Sequence, residues 1–165
     1  MMTVADRPRR IALLNFGGIG DEILFTPVLR EIRAFYPEAH LALILEDRSR
    51  AIADLLPGVD EVIPLNVQQP GRLALFGKLV ALLRRGNYDA VVSSGSSPFI
   101  PVMLAATGIR VRVGYQTGPT SKLLLSAEAP PGRPAWCWRS TRPTFPGALR
   151  RARARCRSSR AARAR

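Results

Sequence analysis

The chain has 165 residues, 47% of them hydrophobic, and a formal net charge of +13; that leaves room for about one domain, on a scale of roughly 100–200 residues each, with a real core. Residues 1–129 carry 14 Lys+Arg and 12 Asp+Glu, a net of +2, whereas residues 130–165 carry 11 Arg and no acid. The basic character belongs to the tail, which excludes a nucleic-acid-binding surface spread over the body of the protein.

Five short apolar runs recur along the body, at residues 11–15, 41–45, 61–65, 89–93 and 110–115. The first, second and fourth are nearly continuous in Ala, Val, Ile and Leu, the pattern of strands covered on both faces in a parallel sheet. Segments of helical period separate them. In the first segment Leu24, Val28, Ile32 and Phe35 fall at helical spacing. Pro27 lacks an N–H and clashes with the preceding turn, so the expectation is a short turn from Asp21, a break, and a restart with Thr26 as cap. Asp47 is the expected cap of a second helix that runs through Leu56 and stops at Pro57-Gly58. A third helix places Leu73, Phe76, Val80 and Leu83 on one face, with Arg84 and Arg85 at its negative end and Gly86 closing it. A fourth starts at Ser97-Pro98 and ends near Gly108. Alternating strands and helices predict a doubly wound α/β parallel sheet with right-handed crossovers.

In such sheets ligands bind outside the carboxyl ends of the strands. The first strand runs into Asn15-Phe16-Gly17-Gly18-Ile19-Gly20-Asp21-Glu22, where three glycines permit a tight turn and close approach of backbone. Two chemistries compete for this loop. In the first, it binds a dinucleotide, with Glu46 at the end of the second strand as the ribose acid. The G-x-G-x-x-G pattern fails at its last position, and Asp21 and Glu22 place two carboxylates where a pyrophosphate would need a positive helix end. In the second, Asp21 is a general base that accepts a proton from a sugar hydroxyl. A plain N-terminal capping role for Asp21 also fits the loop.

The string Gly17-Gly18-Ile19-Gly20-Asp21-Glu22-Ile23-Leu24-Phe25-Thr26-Pro27 resembles the opening motif of glycosyltransferase family 9, the heptosyltransferases of lipopolysaccharide synthesis. Leu56-Pro57-Gly58-Val59-Asp60-Glu61-Val62, Tyr88-Asp89-Ala90-Val91-Val92 and Arg112-Val113-Gly114-Tyr115 resemble later landmarks of that family, in order. The resemblance covers roughly residues 9–129. It implies a Rossmann-like domain that forms the N-terminal, acceptor-side half of a GT-B fold. It also implies an inverting reaction that needs no metal or other cofactor, with a nucleotide diphosphate sugar such as ADP-heptose as donor and a glycan or glycolipid as acceptor. The family's proposed base falls on Asp21, in a loop formed by Gly17, Gly18 and Gly20. The loop after the fourth strand carries Ser94 and Ser96 where many relatives have an acid or amide near the acceptor. Small hydroxyls there can hydrogen-bond a sugar, and a linker beside a helix cap explains them equally well.

Nothing after residue 129 resembles the family's donor-binding second domain. The expectation is therefore a truncated glycosyltransferase without activity of its own, followed by a disordered basic tail. Both cysteines (Cys137, Cys156) and both tryptophans (Trp136, Trp138) lie in that tail. Arg, Ala, Pro, Gly and Ser dominate it, as in out-of-frame translation of a GC-rich gene. A basic arm for nucleic acid and a segment for an anionic membrane surface are the alternatives. No signal segment or membrane-spanning run is read in the chain. The expected location is the cytoplasm, with peripheral contact at most with the inner membrane, and nucleic acid is not an expected partner.

Overall fold

The computed structural model describes residues 8–67, 71–115, 118–125, 127–129 and 139–140. In chain order the elements are β1 (Arg10–Asn15), α1 (Ile19–Phe35), β2 (His40–Glu46), a 3₁₀ helix (Asp47–Leu55), β3 (Glu61–Leu65), α2 (Arg72–Arg85), β4 (Ala90–Ser93), α3 (Phe99–Ala106), β5 (Val111–Tyr115), α4 (Pro119–Leu124), β6 (Ala127–Ala129) and β7 (Arg139–Ser140). One sheet contains all seven strands in the order β3-β2-β1-β4-β5-β6-β7. Its first six strands are parallel and β7 runs antiparallel to β6. The doubly wound α/β fold predicted from the sequence is the fold observed.

Side chains alternate along the central strands and feed two cores. Ile11, Leu13, Leu41, Leu43, Leu45 and Val92 pack with Phe25, Val28 and Leu29 of α1 on one face. Ala12, Leu14, Ile44 and Val91 pack with Leu79 and Leu83 of α2 and with Met103 and Leu104 of α3 on the other. This two-sided burial is why β1, β2 and β4 are apolar almost throughout. Pro64 sits in β3, the edge strand, where the absence of a ladder donor is tolerated.

The helices depart from expectation in three places. First, α1 is continuous through Pro27. The carbonyl that loses its donor belongs to Ile23, itself largely exposed, and packing of Phe25, Val28 and Leu29 outweighs the local penalty. Thr26 is therefore no cap; its hydroxyl donates to the Glu22 carbonyl at 3.4 Å. Second, Leu24 and Leu73 were expected on inner faces but are 76% and 88% exposed. Third, Asp47–Leu55 is a 3₁₀ helix with no side-chain cap. The ends of α2 and α3 follow the sequence more closely. The Gly86 N–H donates to the Leu82 carbonyl, and the left-handed residue that reverses the chain is Asn87, at φ 48°. Beyond α3, Gly108 turns the chain at φ 78°.

Neither β6 nor β7 was expected. Their pairing joins Glu128 to Arg139 across the boundary read at residue 129. The remainder of the tail, including its Cys and Trp residues, lies outside the described residues. No helix among the described residues is long and apolar enough to cross a membrane.

Candidate functional site

The strand order reverses its direction of growth at β1. From β1 the chain enters α1 on one face of the sheet, and from β4 it enters α3 on the other. The two loops therefore part above the β1–β4 pair, which is where an open parallel sheet forms its ligand crevice. Gly17, Gly18, Gly20 and Asp21 come from the first loop and the start of α1. Ser94 and Ser96 come from the second. The structure thus brings all the predicted site residues to one sheet edge.

Asn15, at the end of β1, ties the loops together. Its Oδ1 accepts from the Ser94 hydroxyl at 2.7 Å and, more weakly, from the Gly17 N–H at 3.4 Å. Ser94 also lies 3.2 Å from the Leu14 carbonyl, so its hydroxyl is held inward rather than presented to a ligand. Ser96 is exposed. On the far side of the loop the fully buried Ser49 donates to the Gly17 carbonyl at 3.4 Å.

Asp21 lies in the first turn of α1 and is exposed. Its Oδ2 accepts from the Gly18 N–H at 3.1 Å, while its own N–H donates to the Gly18 carbonyl at 2.9 Å. The carboxylate thus satisfies one of the donors orphaned at the helix start, and the capping role is real. It uses one oxygen: Oδ1 makes no hydrogen bond to the described residues, which leaves it able to meet a hydroxyl. Gly17 makes this fold-back possible, because a Cβ there would collide with the Asp21 side chain. Gly18 and Gly20 play a different part. A Cβ at either would meet nothing within 4 Å, so they keep the approach to Asp21 open rather than fix the backbone.

Sequence reasoning missed Glu22 as a feature of the interior. Its side chain is 0% exposed, on the inner face of α1 with Phe25 and Leu29. The 22, 25, 29 spacing is the signal that could have placed it there. Burial pushes its carboxyl up to about 7; the Asn15 amide opposes the shift and the charge of Asp21 adds to it. That amide stops short of hydrogen-bond geometry, so both Glu22 oxygens and Asn15 Nδ2 are buried without a partner. Glu46, the candidate ribose acid, is also buried, and both its oxygens are held at 2.8 Å by the Arg48 guanidinium. Among the described residues no group of three or more His, Cys, Asp or Glu is placed to hold a metal ion.

No family model matches the chain, and no curated protein matches it by sequence. Solved structures do match. A glycosyl transferase family 9 protein from Veillonella parvula DSM 2008 superposes with a TM-score of 0.61 at 17% identity, over 74% of this chain and 34% of that one. The fold is that of part of a family 9 glycosyltransferase. The E. coli ADP-heptose lps heptosyltransferase II shares this glycosyltransferase fold with a TM-score of 0.59 and 24% identity, over 70% of this chain and 33% of its own. For the E. coli heptosyltransferase WaaC with ADP the TM-score is 0.58, the identity 17% and the coverage 88% of this chain and 45% of that one. The chain spans between a third and a half of the length of these glycosyltransferases.

Proposed function

We propose that this chain is the N-terminal, acceptor-side domain of an inverting glycosyltransferase of the heptosyltransferase type. The observation that carries this reading is an exposed carboxylate at the sheet's switch point, one oxygen fixed by the Gly18 N–H and the other free, on a fold shared with heptosyltransferases. Asp21 takes the proton of an acceptor hydroxyl as that oxygen bonds to the anomeric carbon of a nucleotide diphosphate sugar. The bond from that carbon to the diphosphate breaks, and the nucleotide diphosphate leaves from the opposite side. The donor, ADP-heptose in this reading, belongs to a second domain. The acceptor is a lipopolysaccharide or another cell-envelope glycan, and no metal takes part.

Two features of the site favour this over dinucleotide binding. The exposed carboxylate of Asp21 occupies the helix end that would have to receive a pyrophosphate. Glu46 is committed to Arg48 and is not presented as a ribose ligand.

The test is Asp21→Asn in the enzyme completed with its donor domain. Asn keeps an acceptor for the Gly18 N–H but cannot take the proton. Turnover should fall by about 10²–10⁴-fold, the usual contribution of a general base, with the fold retained. Near-normal turnover would remove Asp21 from the role.

A further inference from the structure

Three buried side-chain polar atoms without a hydrogen-bond partner occur among the described residues: Glu22 Oε1, Glu22 Oε2 and Asn15 Nδ2. They belong to two side chains that face one another between β1 and α1. Unpaired buried polar groups are costly, and their concentration beneath the candidate base calls for a physical account. The amide orientation of Asn15 supplies it. Oδ1 is committed to Ser94 and Gly17, so Nδ2 can only turn towards Glu22. Glu22 thus meets a side chain that links both crevice loops.

We propose that Glu22 is a positioning residue of this site: through the Asn15 amide it sets the Gly17–Gly18 backbone on which the Asp21 carboxylate is held. The proposal rests on the reading of Asp21 as the base, since that is what makes its aim matter. Mechanically, Glu22 pulls on the Nδ2 side of the Asn15 amide, the Oδ1 side of that amide accepts from the Gly17 N–H, and Gly17 and Gly18 form the seat of Asp21. Glu22 is out of reach of substrate and acts only through these groups. A change in its charge changes its pull on Asn15 Nδ2, so the seat responds to pH. Of the charged groups nearby, Asp21 on the same helix raises the Glu22 carboxyl's affinity for its proton. The 3₁₀ helix packed on α1 carries Asp47, Arg48, Arg50 and Asp54, with Arg48 tied to Glu46; none of these contributes to the shift. The ends of β1 and β4 bring only Asn15, Ser93 and Ser94.

The experiment is an NMR titration of the chain as it stands, following the backbone amides of Gly17 and Gly18 and the Glu22 carboxyl carbon from pH 5 to 9. The amides should shift with the same midpoint as Glu22, near 7. Glu22→Gln should abolish that transition. Asn15→Ala should leave the Glu22 titration visible but uncouple it from Gly17. Amide profiles that lack a transition near Glu22's midpoint in the unaltered chain, or that are the same in Glu22→Gln, would overturn the proposal. A transition that survives Asn15→Ala would also overturn it, because a field acting through space needs no Asn15. The readout is the loop itself and not sugar transfer, so a failure of the glycosyltransferase reading would leave this result unchanged.

Discussion

Gly17 and Gly20 lie three residues apart, one in the loop after β1 and one in the first turn of α1, and they answer to different constraints. At Gly17 an added methyl collides with the Asp21 side chain. We expect Gly17→Ala to break the Asp21–Gly18 hydrogen bond and to cost about 1–2 kcal/mol, the scale of a lost cap. At Gly20 the space is open and the residue lies inside the first turn of α1. Gly20→Ala should therefore stabilise by up to about 1 kcal/mol, and paired thermal melts would separate the two. A loss of stability at both positions, or at neither, would contradict the assignment. Arg33 offers a third contrast. Its guanidinium donates to the carbonyls of Gly58, Pro37 and Ala39 and pairs with Asp60 at 2.5 Å. Burial pushes Asp60 up, but the Leu41 N–H, Arg33 and His40 outweigh it and hold its carboxyl below the ordinary range. Arg33→Ala should cost about 1–2 kcal/mol, on the scale of a few partly exposed hydrogen bonds, and Arg33→Lys should recover little because an ammonium lacks the planar fork.

Among the elements, α1 shows most clearly what pattern reading could and could not extract. Its start was legible because glycines followed by acids mark a helix N-terminus. Its continuity was not, because the rule against internal proline is local, whereas the contacts that override it come from β1 and β2, far away in sequence. The inner face was misread by one position at Leu24, since Phe25 fits the buried stripe equally well. For the same reason Glu22 was read with Asp21 as a carboxylate presented at the open helix end, although it shares the buried stripe of Phe25 and Leu29. Its burial has a thermodynamic consequence. The carboxyl's affinity for a proton rises from the ordinary 4.5 to about 7 on folding, so the folded state holds the proton more tightly. The associated stability is fully present below pH 4.5 and is lost as pH rises through 7. At about 1.4 kcal/mol per pH unit the loss amounts to as much as about 3 kcal/mol. Chemical denaturation of the native chain and of Glu22→Gln between pH 5 and 9 should show the difference between them changing in the variant's favour as pH rises. A difference that stays constant would mean that Glu22 does not titrate in the fold.

For the whole molecule, the first five strands and their parallel direction were legible, because burial on two faces writes itself as continuous apolar sequence. The short β6 and β7 were not, because Ala127–Ala129 and Arg139–Ser140 carry no apolar run to announce a strand. The place of the site followed from topology once the order was known, since the loops after β1 and β4 must part at the switch point. Asp21 could be found from its motif. The Asn15 link beneath it could not, because it joins residues 79 positions apart. Under the proposed function this crevice receives a glycan rather than a nucleotide, and amide mapping of the chain during addition of a lipopolysaccharide core oligosaccharide, and separately of ADP, decides between the two. Saturable shifts of Gly17, Gly18, Asp21 and the Ser94–Ser96 loop are expected with the oligosaccharide, and none there with ADP. Shifts at this loop with ADP alone, or no response to any glycan, would contradict it.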